Sequence, residues 1–130
     1  MAYPSLTKTW YNDSYPAIDP NKRPELAQKG KTVVITGADT GVGRGIAHTF
    51  ADAGAAKIVI LGRRDETLQE TKRLLEAKNG AVTVTAHPAD VSDTAAVKKA
   101  ADEIGKWDIL VSNAAHLPTL RPLLDAPLDD

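Results

Sequence analysis

Residues 32–43 read Thr-Val-Val-Ile-Thr-Gly-Ala-Asp-Thr-Gly-Val-Gly, a run rich in β-branched residues that leads directly into three glycines. β-Branched residues favour a strand, and the glycines at positions 37, 41 and 43 favour a tight turn before a helix. Unpaired backbone amides at the start of such a helix attract anions, and glycine lets them approach phosphate oxygens closely. The stretch therefore predicts a strand, a turn and a helix that together hold the pyrophosphate of a dinucleotide.

The chain beyond this stretch alternates apolar runs with amphipathic segments. In the segment 45–53, Ile46 and Phe50 fall on one face of a helix. Continuous apolar strands that alternate with helices are typical of a parallel sheet covered on both faces. The pattern predicts a doubly wound α/β fold. Its predicted strands are 32–36, 58–61, 82–85 and 108–111, and its predicted helices are 45–53, 65–79 and one that begins near residue 92 or 93.

The second and third helices carry signals for their ends and for a buried face. Asp65 is predicted to be the N-cap of the second helix, and Gly80 follows its end. Ser92 or Asp93 is expected to begin the third helix, in which apolar residues recur at i, i+3, i+4 and i+7. This spacing predicts one buried stripe, made by Val97, Ala100, Ala101 and Ile104.

The composition excludes several classes of function. Sixteen lysines and arginines stand against seventeen aspartates and glutamates, and a net charge of −1 does not favour nucleic acid or an anionic membrane as a partner. The chain has no cysteine and only three scattered histidines, so we expect neither a disulfide nor a metal site. The apolar runs are too short to span a membrane, and the absence of cysteine fits a cytoplasmic protein.

Residues 1–30 differ from the rest of the chain. They contain prolines at positions 4, 16, 20 and 24 and show no sustained strand or helix period. We therefore expect an extended N-terminal arm over residues 1–30, laid on the surface or mobile, and an organised domain over residues 31–130.

The glycine spacing T-G-x-x-x-G-x-G resembles that of the short-chain dehydrogenase/reductase family, and three later stretches match this family in the right order. They are Gly62-Arg63-Arg64, Asp90-Val91 and residues 108–115, Asp-Ile-Leu-Val-Ser-Asn-Ala-Ala. The resemblance implies that residues 31–130 form the N-terminal, partial NADP-binding domain of the family. It also implies a Rossmann-type sheet of strand order 3-2-1-4, truncated after the fourth strand. The arm resembles extensions of some filamentous-fungal members, which are often encoded among secondary-metabolite genes.

The end of the second predicted strand bears on the choice of cofactor. An NAD enzyme usually has an acid about 20 residues after the glycines, which holds the ribose 2′-hydroxyl, but Gly62 occupies this position. A small residue followed by arginine leaves room for a 2′-phosphate and donates charge-assisted hydrogen bonds to it. We therefore predict NADP(H), with Arg63 as the preferred contact and Arg64 as the reserve. The alternative is that both arginines are solvated surface charges.

The resemblance also assigns contacts to the rest of the cofactor. It implies that Asp90 accepts from the adenine amine and that the backbone at Val91 pairs with the ring, although Asp90 also suits a turn before a helix. Asn113 matches the family's D-I-L-V-N-N-A-G strand end, whereas Ser112 and Ala115 depart from it. The predicted cofactor-binding residues are Gly37, Thr40, Gly41, Val42, Gly43, Arg63, Arg64, Asp90, Val91 and Asn113.

The family's catalytic residues have no counterpart in this sequence. The family's proton donor is a tyrosine four residues before a lysine, with a serine upstream. None of the tyrosines, Tyr3, Tyr11 and Tyr15, is followed at that distance by a lysine. Without this tyrosine and lysine, hydride transfer has no proton partner. We therefore assign cofactor binding to this sequence and no catalytic residue.

Three hypotheses about function follow. The first is the cofactor-binding part of an NADP(H)-dependent oxidoreductase that reduces a carbonyl or oxidises an alcohol of a small molecule. The second is a catalytically inactive remnant that at most binds nucleotide or a partner. The third is a separate chain that completes the fold. The apolar fourth strand is expected to form an exposed sheet edge in the isolated chain, which favours self-association and marginal stability.

Overall fold

The computed structural model describes residues 8, 9 and 15–116. The remainder of the predicted arm, residues 1–7 and 10–14, and the end of the predicted domain, residues 117–130, lie outside the described residues. Strands and helices alternate along the described chain. The elements are a short 3-10 helix at Pro24–Leu26, then β1 (Thr32–Thr36), α1 (Gly41–Asp52), β2 (Lys57–Gly62), α2 (Asp65–Lys78), β3 (Thr83–Pro88), α3 (Thr94–Ile104) and β4 (Ile109–Val111).

The strands form one parallel sheet in the order β3-β2-β1-β4, as predicted. Val34 in β1 stands opposite Val59 in β2 on one side and opposite Leu110 in β4 on the other. All described strands therefore end at the same edge of the sheet, and the loops that follow them meet there. The Rossmann-type doubly wound fold is confirmed, with β3 and β4 as the two edge strands of the described sheet.

Alternate residues of each strand pack on opposite faces of the sheet, because successive side chains of a strand point to opposite sides. Val33 and Ile35 join the larger core with Ala47 of α1 and Leu68 of α2. Val34 joins the smaller core on the other face, where Ala100 and Ile104 of α3 cover β1 and β2. Helices α1 and α2 thus cover one face of the sheet, and α3 covers the other.

Helix α1 begins at Gly41 rather than at Gly45, so the glycine-rich turn is shorter than predicted. Glycine has a low helix propensity, and the sequence pattern therefore places the start of the helix after the last glycine. The first turn of α1 packs against the end of β1, since Gly43 is buried there beside the carbonyl of Gly37. This tertiary packing overrides the local preference.

The prediction that Asp65 caps α2 is wrong. Arg64 is the N-cap residue, without a capping hydrogen bond from its side chain, and Asp65 is the first residue of the helix. There its carboxylate accepts from Gln69 at 3.0 Å and its charge complements the helix dipole. The predicted start of α3 is confirmed, because the Asp93 carboxylate accepts from the backbone amides of residues 95 and 96 at 2.9 and 3.1 Å.

The buried stripe predicted for α3 is narrower in the structure. Ala100 and Ile104 are buried, as predicted, but Val97 is half-buried and Ala101 is exposed. Ala96, one residue before Val97, packs against the core instead. The helix therefore presents mainly small side chains to the sheet and packs on it through few residues.

The described part of the arm is less extended than predicted. A turn closes through the amide of Ile18 and the carbonyl of Tyr15, and a 3-10 helix follows at Pro24–Leu26. Gln28 then donates to the carbonyl of Ala53 at 2.7 Å, beyond the end of α1. The arm therefore contacts the edge of the sheet where the strands begin, away from the glycine-rich turn. Within residues 8, 9 and 15–116, no helix combines the length and the hydropathy needed to cross a membrane.

Candidate functional site

The loops that follow the four strands line a cavity of about 710 Å³ at the carboxyl edge of the sheet. In open α/β sheets this edge is where ligands bind, and the volume falls in the range of small-molecule sites. The cavity brings together residues that are far apart in the sequence. The sequence-predicted residues that line it are Gly37, Thr40, Val42, Arg63, Arg64, Asp90, Val91 and Asn113. Gly41 and Gly43 belong to the first turn of α1 beside it.

The glycine-rich turn is built so that no side chain fits at its centre. Gly37 has a φ of +64°, a backbone conformation that residues other than glycine rarely adopt. A Cβ on Gly43 would lie 2.1 Å from the carbonyl oxygen of Gly37 and 2.6 Å from Nδ2 of Asn113. The start of α1 therefore rests directly on the end of β1, an arrangement that the tight turn of a phosphate-binding loop requires.

The start of α1 is open to an anionic ligand. Thr40 is the N-cap residue, but its side chain accepts no hydrogen bond from the first turn. Thr40 and Val42 are both exposed where they line the cavity, Val42 to 74%. Because the first backbone amides of a helix have no partner within it, they suit phosphate oxygens. This geometry fits the pyrophosphate of a dinucleotide.

Asn113 braces the turn from the end of β4. Its Nδ2 donates to the carbonyl oxygens of Thr36 at 3.0 Å and of Gly37 at 3.1 Å. In return, the hydroxyl of Thr36 accepts from the backbone amides of Asn113 and Ala114, each at 3.0 Å. The side-chain nitrogen of Asn113 is thus committed to the protein, and its predicted contact with the cofactor stays a prediction. The sequence supplied Thr36 only as the first residue of the T-G-x-x-x-G-x-G spacing, and its role in holding Asn113 was missed, although a polar side chain at the end of an apolar strand was the available signal.

The neighbouring arginines at the end of β2 have different surroundings. Nη2 of Arg64 lies 2.9 Å from Oδ2 of Asp39, and its Nε lies 3.2 Å from the same oxygen. Arg63 is exposed and forms no hydrogen bond or ion pair with another described residue, although its charge helps to lower the pKa of Asp90. Arg63 is therefore the guanidinium available to an anion in the cavity.

Asp39 is a site residue that sequence reasoning passed over. Its backbone carbonyl accepts from Nη2 of Arg44 at 2.8 Å and from the hydroxyl of Thr71 at 3.1 Å. Thr71 is fully buried and also accepts from Nε of Arg44 at 2.9 Å. The side-chain carboxylate is held separately by Arg64 and by the hydroxyl of Thr67. An ionisable side chain within a glycine-rich turn was the signal in the sequence.

Asp90 lies near the start of the loop that follows β3, and Ser92 holds its carboxylate. Its Oδ1 accepts from the backbone amide of Ser92 at 2.9 Å and from the hydroxyl at 2.7 Å. These two bonds lower the pKa of Asp90, and the charge of Arg63 adds to the effect. Oδ2 takes part in neither bond. The carboxylate can therefore close a turn with one oxygen and accept from a ligand with the other.

The described part of the chain has no group of three or more histidine, aspartate or glutamate side chains placed to hold a metal ion. The groups that line the cavity are instead backbone amides, the guanidinium groups of two arginines and two carboxylates. The amides and guanidinium groups can donate to an organic anion, and the carboxylates can accept from hydrogen-bonding groups that the same molecule carries.

Comparison with known families supports a dinucleotide site. The family model described as short chain dehydrogenase matches residues 31–129. A short chain dehydrogenase of Pseudocercospora fijiensis is 37% identical over 135 residues, which cover 95% of this chain and 42% of that protein. A short chain dehydrogenase/reductase of Claviceps purpurea is 34% identical, with 94% of this chain and 41% of that protein covered. The chain thus spans less than half the length of these relatives.

Solved structures give the same result. The L-sorbose reductase of Gluconobacter frateurii, complexed with NADPH and L-sorbose, superposes with a TM-score of 0.72 at 33% identity. The match covers 80% of this chain and 40% of the reductase. A short-chain type dehydrogenase/reductase of Mycobacterium marinum superposes with a TM-score of 0.72 at 31% identity, covering 82% of this chain and 43% of that one.

Proposed function

Because the chain belongs to the short-chain dehydrogenase/reductase family, we propose that it supplies the NADP(H)-binding part of an oxidoreductase. The activity proposed for the whole protein is the reduction of a carbonyl group or the oxidation of an alcohol in a small molecule. The observation that carries this proposal is the packing of Gly43 on the carbonyl of Gly37, where no Cβ fits. When bound, the cofactor would supply or accept a hydride.

The chain's own residues suit the two ends of the cofactor's adenosine half. The first amides of α1 would hold the pyrophosphate. The free oxygen of Asp90 would accept from the adenine amine, and Val91, which is half exposed beside the cavity, offers its backbone to the ring. Asn113 would act mainly through the turn that it braces.

The preference for NADP(H) over NAD(H) is proposed from the end of β2. Gly62 carries no acid to bind a ribose 2′-hydroxyl, and Arg63 beside it is exposed and not ion-paired with a described residue. A charge-assisted hydrogen bond from Arg63 to a 2′-phosphate would contribute about 1.5 to 3 kcal/mol. The NADPH complex of the similar L-sorbose reductase supports the same preference.

A second candidate function is a catalytically inactive protein that binds nucleotide or a partner. The glycine-rich turn and the exposed Arg63, which support the first function, fit nucleotide binding without turnover equally well. Both functions share the binding site, and they differ in turnover.

The cellular setting is proposed on less specific grounds. Several curated relatives are fungal short chain dehydrogenases, which supports a role in fungal secondary metabolism. The lack of cysteine and of a membrane-spanning helix within the described residues is compatible with the cytoplasm. Self-association through the edge of β4 is proposed because its Leu110 is about half exposed.

Calorimetric titration of the full chain with NADPH and with NADH tests the proposed function. We expect both to bind and NADPH to bind more tightly. Arg63→Ala should weaken the binding of NADPH by about tenfold or more, because one charge-assisted hydrogen bond is lost, and should leave the binding of NADH nearly unchanged. Arg73→Ala is the matched control, since Arg73 is exposed on α2 and does not line the cavity. A wild-type chain that binds neither dinucleotide would overturn the proposal.

Turnover of the whole protein separates the two functions, whereas both functions give the same expectation for the 130 residues alone. With NADPH and a panel of carbonyl substrates, we expect no steady-state oxidation by the chain of 130 residues. Measurable oxidation that Gly43→Ala abolishes would favour the complete enzyme over the inactive binder.

A further inference from the structure

Asp39 in the glycine-rich turn enters the space that glycine leaves open at position 62. A Cβ placed on Gly62 would lie 3.2 Å from both Cβ and Cγ of Asp39 and 3.3 Å from its Oδ1. Gly62 ends β2, where an acidic side chain would bind the adenosine ribose of NAD(H). A carboxylate is therefore present beside this position, although it comes from a different loop.

The two oxygens of the Asp39 carboxylate have different surroundings. Oδ2 accepts from Nη2 and Nε of Arg64 at 2.9 and 3.2 Å and from the hydroxyl of Thr67 at 3.2 Å. Oδ1 takes part in none of these bonds and lies on the side of Gly62. One oxygen thus anchors the carboxylate, and the other lies toward the end of β2.

The carboxylate is charged at neutral pH. Its side chain is only 15% exposed, and burial alone would raise the pKa of Asp39. Hydrogen bonds and positive charge from Arg64, together with the Thr67 hydroxyl and the backbone amide of Asp39, outweigh burial and hold the pKa below its ordinary value. A negative charge therefore lines the same cavity as Arg63.

We infer that Asp39 is a specificity-determining residue, whose carboxylate accepts from the ribose 2′-hydroxyl of NAD(H) and repels the 2′-phosphate of NADP(H). Since a nicotinamide dinucleotide must bind in this cavity, the inference rests on the proposed function. Arg63 and Asp39 act on the same phosphate in opposite directions. Arg64 neutralises part of the charge of Asp39, so the repulsion is moderate and the site accepts both cofactors.

A neutral side chain of the same shape at position 39 tests this role. Asp39→Asn should raise the ratio of the NADH to the NADPH dissociation constant by about tenfold, which corresponds to about 1.4 kcal/mol. NADH should bind more weakly and NADPH more tightly, both measured by calorimetry on the full chain. Asp52→Asn is the matched control, because Asp52 is also a partly buried aspartate in an ion pair, in its case with Lys78, but does not line this cavity. Its ratio should equal that of the wild type.

The outcomes separate the inference from the proposed function. If Asp39→Asn weakens the binding of both dinucleotides by the same factor, Asp39 only anchors Arg64 and the inference is wrong, while the proposed function stands. If the wild type binds neither dinucleotide, both are wrong. Circular dichroism checks that each variant is folded. If Asp39→Asn does not fold, Asp39→Ser, which is also neutral, is used for the same test.

Discussion

Nδ2 of Asn113 lies 3.0 Å from the carbonyl oxygen of Thr36, and the hydroxyl of Thr36 accepts from the amide of Asn113 at the same distance. Thr36 ends β1 and Asn113 follows the end of the neighbouring strand β4, and the two residues are 77 positions apart in the sequence. Their reciprocal hydrogen bonds join the edge strand to the glycine-rich turn, since Nδ2 also reaches the carbonyl of Gly37. The stability of the edge strand and the shape of the cofactor site are therefore coupled.

Asn113→Ala should lower both stability and nucleotide affinity. The change removes the side-chain donor that serves two half-buried carbonyls, and we expect a loss of about 1 to 3 kcal/mol in the free energy of unfolding. NADPH affinity should fall in the same variant because Gly37 loses its brace. Urea unfolding and calorimetry measure the two effects. Asn21→Ala, an exposed change in the arm, should alter neither, and an equal loss in both variants would contradict the coupling.

Gly43→Ala should abolish nucleotide binding. The added Cβ would lie 2.1 Å from the backbone carbonyl of Gly37, so the first turn of α1 must move away from β1. Gly45→Ala is the matched control, because a Cβ there meets nothing within 4 Å and alanine favours a helix. We expect Gly45→Ala to bind NADPH like the wild type and to be equally or more stable. Similar binding by both variants would show that the turn does not hold the cofactor.

Much of the fold could be predicted because the strands are short, continuous and apolar. Their alternation with helices, together with the family resemblance, predicts the observed strand order, and the sequence narrows the start of α3 to Ser92 or Asp93, of which Asp93 is the cap. The start of α1 and the exposure of Ala101 depend on which neighbours cover each helix, which local spacing does not contain. The approach of Asp39 to Gly62 depends on the direction of one side chain within a loop, so no sequence pattern predicts it.

The edge of β4 should make the isolated chain self-associate. Leu110 is 51% exposed on this strand, and β4 pairs only with β1 among the described strands. An unpaired edge with an exposed apolar side chain can pair with another chain. Leu110→Lys should therefore shift the sedimentation profile toward the monomer, whereas Ile18→Lys, an equally exposed residue of the arm, should not. A monomeric wild type at all concentrations would contradict this expectation.

Acid should destabilise the fold partly through Asp52. Burial would raise the pKa of Asp52, but hydrogen bonds from Lys78 and Asn79 and the charge of Lys78 lower it below its ordinary value of 3.8. At pH values above 3.8 this group is ionised in both states and its contribution to stability is fully present. As the pH falls from there through the lowered pKa, the unfolded chain binds the proton first, so the free energy of unfolding decreases.

Asp52→Asn should remove part of this decrease. The variant is expected to be less stable than the wild type at pH 5 and to lose less stability between pH 5 and pH 2, as measured by urea unfolding. Burial and the charge of Lys78 lower the pKa of His48 from its ordinary value of 6.5, against the opposing effect of the Asp52 charge. As the pH falls, the unfolded chain therefore binds a proton at His48 before the folded chain does. Asp39, whose pKa is also lowered, keeps its contribution in both proteins. Parallel acid curves for wild type and variant would exclude the ion pair of Asp52 with Lys78 as a source of acid sensitivity.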